Sequence, residues 1–287
     1  MANSAVFITP PDTRWASTRF RGEWPAEAIG GATVAKFDQP ISQNDVYIWI
    51  KLCDTNRLQT LPGMHIWDLC DPTWWFNPDD ARRALPLFKA IVCSCEGLAE
   101  DLRQWSGLEN VYCIPDRVKI GHYNEKRQHR EVEPVRFIWF GAYQNRMTLF
   151  GAFTNLERLA ANHYPIELTI VDDRPDQVWQ FQHFPCYHLP WNLEKEARTI
   201  AAHDIALLPS YPGAWGKVKS NNKELSAWAC GLPTTTGEDW EEMVRLVSDA
   251  QLRQSLADEN LETLLRDYSI LQSAQEWVNL IARLEAE

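Results

Sequence analysis

The sequence lacks the short motifs that mark most metal, redox and nucleotide-hydrolysing sites. Its seven histidines form no H-x-H or H-x-x-x-H pair, and its seven cysteines form no C-x-x-C pair. These absences predict a protein without a metal site. The sequence also contains no G-x-G-x-x-G, no G-x-x-x-x-G-K-[ST] and no G-x-S-x-G. Dinucleotide-dependent dehydrogenases, P-loop nucleotidases and α/β-hydrolases are therefore unsupported.

Long apolar runs and basic runs are missing too. No stretch of 18 apolar residues occurs, so no membrane span is predicted. The first residues, MANSAVFITPPD, lack the basic and apolar regions of a signal peptide, and the odd number of scattered cysteines favours reduced thiols. We therefore expect a cytoplasmic protein. The net charge of −11, without a run of lysines or arginines, argues against nucleic acid and anionic membranes as partners.

What is present is an alternation of short apolar runs with helical patterns over 287 residues. Such alternation is typical of βαβ units and parallel sheets. A polar, unpatterned segment at residues 122–135 separates two such halves. The sequence thus predicts an α/β protein of two Rossmann-like domains facing a cleft, residues 1–125 and 126–287, with a C-terminal helical tail. Ligands of such sheets bind at the carboxyl ends of the strands.

The stretch after the apolar run at residues 204–210 carries the strongest indication of a ligand. It predicts a helix over residues 221–230, with Ser220 as its N-cap. Lys219 and Lys223 are four residues apart and are expected on the same side of its first turn. Two ammonium groups and free N–H groups at a helix start suit a phosphate or a diphosphate. The alternative is that both lysines are solvated.

Polar residues follow two strands of the first half. Ser17, Arg19 and Arg21 come after the first strand, where an arginine can face the cleft and bind phosphate or carboxylate, or can be a solvated loop charge. Asp68 and Asp71 end another strand. Asp71 at that edge can accept a proton, whereas its alternative role is to cap the helix that begins near Pro72. A D-x-x-D pair alone is a weak signal for a metal.

Two further loops carry candidate binding residues. The aromatic run at residues 74–76 can stack on a sugar face or on an apolar acceptor, or can pack the domain interior. In the second half, the loop after a strand contains Gly141, Asn145 and Arg146. Gly141 allows the backbone to approach a phosphate, and Arg146 adds positive charge.

The second half resembles a known family. The run at residues 135–173 and the run KSNNKELSAWACGLPTTT are similar to the C-terminal domain of group 1, family 4-like glycosyltransferases of the GT-B fold. The helical tail resembles theirs, and the first half resembles their acceptor domain more weakly. The resemblance implies a transferase that moves a sugar from a UDP- or GDP-linked donor to a hydroxyl of a glycan, lipid-linked or other acceptor. It implies retention of configuration, with no metal and no cofactor.

The resemblance also implies roles for particular residues. In the family, the pattern around the KSNNKE run surrounds the diphosphate of the donor, and a retaining reaction needs no protein base, because the leaving phosphate deprotonates the acceptor. An inverting reaction would make Asp71 the best candidate base. The donor-binding residues implied are Gly141, Asn145, Arg146, Asp172, Trp191, Ser220, Asn222 and Glu224, with Lys219 and Lys223 stabilising the leaving group and Ser17 and Arg19 on the acceptor side.

One departure from the family concerns its glutamate pair, E-x7-E. Val218 and Ser226 occupy the corresponding positions, and Glu224 is the nearest carboxylate that can replace the second glutamate. This departure keeps two alternatives open. One is a non-catalytic protein of the same fold that binds a sugar nucleotide or glycan. The other is a sugar-nucleotide epimerase, which needs acidic catalysts in both halves.

Overall fold

A computed structural model describes residues 5–287. Within this range the strands are β1 (Ala5–Thr9), β2 (Thr33–Lys36), β3 (Val46–Ile50), β4 (Met64–Leu69), β5 (Ala90–Cys93), β6 (Val111–Cys113), β7 (Val135–Phe140), β8 (Ile166–Asp172), β9 (Cys186–Pro190), β10 (Ile205–Leu207) and β11 (Thr234–Thr235). They form two separate sheets.

The α-helices in the same range alternate with these strands and then follow one another at the C-terminus. They are α1 (Trp24–Ile29), α2 (Thr55–Thr60), α3 (Thr73–Phe76), α4 (Pro78–Ala84), α5 (Glu96–Ser106), α6 (Phe150–Ala161), α7 (Glu196–Ala201), α8 (Ala214–Lys217), α9 (Asn222–Ala229), α10 (Trp240–Ser248), α11 (Ala250–Asp267) and α12 (Ile270–Ala286). A π-helical turn spans Thr18–Glu23, and 3₁₀ turns span Leu85–Leu87, Ile120–His122, Tyr143–Leu149 and Leu193–Lys195.

The first sheet has the order β2-β1-β3-β4-β5-β6 among the described residues, and all of its pairings are parallel. Val6 is in register with Tyr47, and Ile48 with Ile66. Every residue of β1 and β3 is buried. Burial on both faces explains why these strands read as continuous apolar runs rather than as alternating patterns.

The second sheet has the order β11-β10-β7-β8-β9, again with parallel pairings only in the part of the chain that the structure describes. Its central strands, β7 and β8, pack on the apolar faces of α6 and α10 through Phe137, Leu156 and Met243. The prediction of an α/β protein with two parallel sheets and C-terminal helices is confirmed.

The chain divides into two compact units that do not follow the sequence continuously. One unit combines residues 5–118, 213–222 and 268–287, and the other combines residues 119–212 and 223–267. The predicted domains, residues 1–125 and 126–287, differ from this division. Residues 119–125 belong to the second unit, and residues 213–222 and the last helix belong to the first. Trp277 of α12 packs edge-on against Phe7 of β1, with ring centroids 5.6 Å apart. Helical periodicity predicts that α12 has an apolar stripe, but not which sheet buries it.

Candidate functional site

The carboxyl edge of the first sheet is dominated by a buried arginine. The π-helical turn after β1 places Arg21 against Asp68, the fifth residue of β4, with Nε–Oδ1 and Nη2–Oδ2 distances of 2.9 and 2.8 Å. Nη1 also donates to the Ile114 carbonyl at 2.6 Å and lies 3.2 Å from Asp116 Oδ1. Arg21 and Asp68 are 2% and 0% exposed, so this is an interior ion pair. Burial alone would lower the pKa of Arg21, but Asp68 and Asp116 raise it.

The predicted roles of the residues after β1 change accordingly. Arg21 is neither a solvated loop charge nor a group facing a ligand, because Asp68 holds it in the interior. Arg19, predicted on the acceptor side, is also buried, 4% exposed, with its guanidinium 6.0 Å from the Trp24 ring centroid. Ser17 precedes the π-helical turn without a side-chain capping bond. Sequence reasoning placed these residues correctly after β1 but could not show which face of the turn is covered.

A second charged cluster lies at the same edge and contains the predicted catalytic carboxylate. Asp71, just beyond β4, pairs with Lys51 at 2.8 Å and with Lys219. Burial by itself raises the pKa of Asp71, but the two lysines outweigh burial, and the pKa is lowered. The helix-capping alternative is wrong, because α3 has Pro72 at its N-cap position and no side-chain cap.

Residues 213–222, the cationic segment, pack on the first unit. A Cβ added to Gly97 would lie 2.0 Å from the Lys217 carbonyl oxygen, so only glycine fits beneath this segment. Ser220 Oγ donates to Asp116 Oδ2 at 2.6 Å. The prediction of Ser220 as an N-cap is therefore wrong: α9 begins at Asn222, and the Ser220 hydroxyl satisfies a carboxylate instead. Lys219 also precedes the helix rather than sharing a helical face with Lys223.

The aromatic run splits between the interior and the surface. Trp74 is 1% exposed, and its indole N–H donates to Asp101 at 2.8 Å. Trp75 and Phe76 are 36% and 65% exposed. Their ring centroids lie 5.6 and 5.5 Å from that of Trp215 in the cationic segment, whose ring also lies 4.5 Å from Lys219 Nζ. The three outer rings form an aromatic surface beside the Lys51–Asp71–Lys219 cluster.

The carboxyl edge of the second sheet brings Lys223 and Gly141 together. Lys223 Nζ lies 4.9 Å from the Trp139 ring centroid. A Cβ added to Gly141 would lie 2.8 Å from Lys223 Nζ, so glycine leaves the space that the ammonium group occupies. Gly141 and Lys223, both predicted as donor-site residues, thus lie together inside one unit. A backbone turn without a side chain beside a cation suits an incoming phosphate.

Arg146 and Asp172, both predicted to bind the donor, bind each other. The Nη2–Oδ1 distance is 2.9 Å, and the residues are 1% and 0% exposed. Arg146 also donates to the carbonyls of Arg174 and Gln177. Direct contact of either side chain with a ligand is therefore excluded in this arrangement. The pair ties the loop after β7 to the loop after β8, and Asn145 lies within that loop, its carbonyl accepting from Thr148.

A small cavity opens at the ends of β7, β8 and β9. Its lining includes Phe140, Trp191, Asn192 and Glu196. The Trp191 backbone N–H donates to the Asp172 carbonyl at 2.8 Å, and its indole N–H donates to Glu196 at 3.2 Å. Trp191, the residue predicted on the nucleoside side, thus borders a small, partly open space at the carboxyl ends of these strands.

The two positions that depart from the family are structural. Val218 is 2% exposed and belongs to the apolar core of the first unit. Ser226 is 4% exposed, and its hydroxyl lies 2.7 Å from that of Tyr123. Glu224 is half-buried, and burial raises its pKa. Within residues 5–287, Glu224 has no hydrogen bond or ion pair through its carboxylate, so this group is available to a ligand.

The described residues contain neither a metal-ligand cluster nor a membrane-spanning helix. Residues 5–287 contain no group of three His, Cys, Asp or Glu side chains placed to hold a metal ion. In the same range, none of the helices has the length and apolar character needed to cross a bilayer.

Comparison with known proteins gives similarity at the level of fold. No family model and no curated protein sequence matches the chain. Among solved structures, HepE of Anabaena in complex with UDP and glucose matches with a TM-score of 0.70 at 10% identity, over 98% of this chain and 100% of that chain. An alpha-glucosyltransferase in complex with UDP and a 13-mer DNA matches with a TM-score of 0.71 at 11% identity, over 98% and 100%.

A glycosyltransferase from Rickettsia africae matches with a TM-score of 0.66 at 6% identity, over 98% of each chain. These similarities confirm the predicted GT-B type of fold. At such low identity they show the fold alone, and the chemistry rests on the residues described above.

Proposed function

We propose that this chain is a glycosyltransferase that moves a sugar from a UDP- or GDP-linked donor to an acceptor hydroxyl. The observation that carries the proposal is the placement of Lys223 beside Gly141 at the carboxyl end of β7. Two solved structures of the same fold were obtained with UDP. A cation next to a glycine turn at a sheet edge is suited to a diphosphate.

The donor is assigned by the chemistry of each group. Lys223 binds the diphosphate and stabilises the charge that develops on the leaving group, which lowers the barrier to transfer. Lys219 and Asn222 are further candidates for this role that the family resemblance implies. Lysines supply this charge without a metal ion or cofactor. Trp191, which follows β9, borders the nucleoside, and Glu224 accepts hydrogen bonds from hydroxyls of the ribose or sugar. Ser220, Arg146 and Asp172 position the loops and do not contact the donor.

Retention of configuration fits the site better than inversion. An inverting reaction needs a protein base near the acceptor, and Asp71 was the best candidate. The lowered pKa of Asp71, held between Lys51 and Lys219, makes this carboxylate a poor proton acceptor at neutral pH. In a retaining reaction the leaving phosphate takes the acceptor proton, so that Asp71 needs only to orient the two lysines.

One observation favours a second candidate, a protein that binds a sugar nucleotide without turning it over. Val218 and Ser226 replace the glutamates of the family, and both are committed to packing or to Tyr123. An epimerase has less support, because the first unit offers Asp68 and Asp71 only as partners of cations.

Nucleotide binding and release separate these candidates. The protein is titrated calorimetrically with UDP and GDP, and diphosphate release from UDP-glucose, UDP-N-acetylglucosamine and GDP-mannose is then followed with and without oligosaccharide acceptors. A transferase releases diphosphate faster with an acceptor. Binding without release supports the non-catalytic candidate, and an isomerised donor supports an epimerase.

Substitution of the lysines tests the donor assignment itself. Lys223→Ala and Lys219→Ala are each expected to weaken diphosphate binding about tenfold, the cost of losing a charge-assisted contact of roughly 1.4 kcal/mol. Lys217→Ala removes an exposed lysine of the same segment and is the matched control, with less than a twofold change expected. Unchanged affinity in both test variants refutes the assignment.

A further inference from the structure

An exposed aromatic cluster lies on the second unit, at the start of α6 and on the loop that follows β8. The Trp179 ring stacks on that of Phe150, with centroids 5.6 Å apart, and packs edge-on against Phe153. The Arg146 guanidinium lies 5.0 Å from the Tyr143 ring centroid and 5.5 Å from that of Trp179. Tyr143 is thereby joined to the other rings, so these side chains form one connected surface.

Two aliphatic side chains extend this surface. Met147 precedes Phe150 by three residues at the end of a 3₁₀ turn, and side chains three apart in such a turn lie on the same side. Val178 adjoins Trp179 in the chain. The second-unit patch is defined as Tyr143, Met147, Phe150, Val178 and Trp179. Met147, Phe150 and Val178 are 57%, 63% and 61% exposed. Contiguous exposed apolar groups of this kind mark interaction sites, whereas single ones are ordinary.

The patch is held from beneath by buried polar groups. The Trp179 backbone N–H donates to His188 Nε2 at 2.9 Å. Arg146, which lies against two of the rings, is 1% exposed and is fixed by its ion pair with Asp172. A partner therefore meets a preformed surface, and fewer side chains lose rotamer freedom when it binds.

The composition of the patch is that of the centre of a protein–protein interface. Tyrosine, tryptophan, phenylalanine and methionine are the residues enriched there, with polar residues around them. Exposed polar side chains flank the patch on the loop after β8, namely Asp173, Arg174, Asp176, Gln177 and Gln180. Residues 141–150 and 173–182 contain no lysine, and Arg174 is their one exposed arginine. Nucleic acid and anionic membranes, which need a cluster of positive charges, do not match this surface.

The size of the patch is that of one half of a dimer interface. Aromatic side chains have areas of about 150–250 Å², so the exposed fractions correspond to on the order of 400 Å² of apolar surface. A stable interface buries about 800 Å² on each partner, of which somewhat more than half is apolar. The patch therefore supplies most of the apolar area that one partner contributes.

We propose that the second-unit patch is the interface of a symmetric dimer, in which it packs on the same patch of a second copy of this chain. The charges at its rim favour a second copy over a strongly charged partner. Arg174 and Asp176 lie two residues apart, and a twofold rotation can bring each of them opposite the other. A partner of one dominant sign would instead place a like charge against one of them. The patch includes none of the side chains assigned to the donor.

The net charge of the chain gives this dimer a characteristic salt dependence. Each copy carries a net charge of −11, so two copies repel each other at long range. The contact itself is apolar, and salt screens the repulsion without weakening it. We therefore expect dimerisation to become severalfold tighter when NaCl is raised from about 50 to about 500 mM.

The direct test is sedimentation velocity of the full chain at about 1–100 µM, because the fraction of dimer follows protein concentration. We expect the mass to rise from that of one 33.2 kDa chain to that of two. Phe150→Glu and Val178→Glu are each expected to weaken the dimer at least about tenfold, because each places a charge in the apolar contact. Leu265→Glu, at a 53% exposed position of α11, adds the same charge outside the patch and is the matched control. It is expected to change the dimer affinity less than about twofold.

Hydrogen exchange locates the interface without any substitution. Amides in residues 143–150 and 174–182 are expected to exchange more slowly at about 100 µM than at about 1 µM, since the dimer excludes water from them. Amides of α11 are expected to exchange equally at both concentrations.

Three outcomes overturn the proposal. The first is the mass of a single chain at every concentration and salt. The second is a dimer that Phe150→Glu and Val178→Glu weaken no more than Leu265→Glu does, with exchange unchanged in residues 143–150. The third is binding of phosphatidylcholine vesicles that Phe150→Glu abolishes, in a protein that does not self-associate, which would assign the patch to a membrane surface.

Discussion

The carboxyl edges of the two sheets differ in how their charges are balanced. At the first edge, each strand-end carboxylate has a cation beside it: Asp68 has Arg21, and Asp71 has Lys51 and Lys219. At the second edge, Glu224 is a half-buried carboxylate without a partner in the described chain. Carboxylates that are already in ion pairs stabilise the fold, whereas an unpaired carboxylate such as Glu224 is available to a ligand.

The carboxyl edge of the second sheet also contains one ion pair, and this pair is structural like those of the first edge. Arg146 and Asp172 are buried and join the loops that follow β7 and β8. The loop that follows β7 begins with Gly141, which lies beside Lys223. A buried ion pair is thus structural in each unit, and Lys223 and Glu224, which are assigned to the donor, belong to neither of these two pairs.

The largest expected effect on stability comes from breaking the buried Arg21–Asp68 ion pair of the first edge. Arg21→Met removes one partner of a buried pair and leaves Asp68 uncompensated, so we expect a loss of about 3–5 kcal/mol in the free energy of unfolding. Arg14→Met, which removes an arginine whose side chain is 73% exposed, is the control, with a change below about 1 kcal/mol. Denaturant unfolding measures both. Equal, small effects would mean that the matched charges of the first edge are not structural.

A smaller effect is expected where the first edge adjoins the proposed chemistry. Asp71→Asn leaves Lys51 and Lys219 without their shared carboxylate, and we expect a stability loss of about 2 kcal/mol. Because Lys219 is then released, UDP affinity is expected to rise about two- to fivefold, with kcat changed less than tenfold.

The same variant separates structural from catalytic use of Asp71. If this carboxylate were the general base of an inverting enzyme, kcat would fall by about 10²–10⁴-fold, while UDP affinity would change little. Steady-state kinetics combined with calorimetric titration of UDP distinguishes the two results. The retaining scheme is contradicted by the large fall in kcat.

At the second edge, the space beside Lys223 can be filled without touching a charge. Gly141→Ala places a Cβ 2.8 Å from the flexible end of Lys223, which must move. We expect UDP affinity to fall about tenfold, equivalent to roughly 1.4 kcal/mol. Some loss of stability is also expected, because the backbone φ of +159° at Gly141 is one that L side chains rarely adopt. Gly121→Ala is the matched control, because a Cβ there meets open space. Titration with UDP and thermal unfolding of both variants check this, and equal UDP affinities would remove Gly141 from the site.

Local patterns in the sequence were sufficient for the elements and for the sheet edges. The continuous apolar runs of β7 and β8 and the helical periodicity of α6 predict the second sheet, and the residues that follow each strand are the candidate site. The glycine loop at Gly141 and the lysine at Lys223 come together as the parallel-sheet rule requires.

The pairing of distant charges could not be predicted. Asp71 and Lys219 are 148 residues apart, and nothing in either local sequence indicates the other. The same holds for Arg21 and Asp68. A buried, ion-paired arginine and a solvated loop arginine therefore cannot be distinguished in the sequence. The cationic segment also joins the first unit through Gly97, a residue with no local motif. Lys51 was overlooked for the same reason, although its place directly after β3 is a usable signal.

The smallest expected effect concerns the unmatched carboxylate. Burial raises the pKa of Glu224, so the folded protein disfavours its charged form. Glu224 therefore lowers stability increasingly as the pH rises from about 4.5, its ordinary value, through its raised folded pKa. Glu224→Gln removes this pH dependence. We expect its Tm to exceed that of the unmodified protein by about 1–2 °C at pH 7 and to equal it at pH 4.

Ligand binding by the same variant tests whether Glu224 is unmatched because a ligand uses it. Glu224→Gln is expected to weaken binding of the nucleotide sugar severalfold, since an amide replaces a charged acceptor of hydroxyl hydrogen bonds. Glu259→Gln, an exposed position within α11, is the control for both measurements, with Tm and affinity unchanged. If Glu224→Gln is more stable and keeps its full affinity for the nucleotide sugar, the carboxylate destabilises the fold and does not contact this ligand. The unpaired carboxylate at the second edge would then affect only the stability of the protein and not its ligand binding.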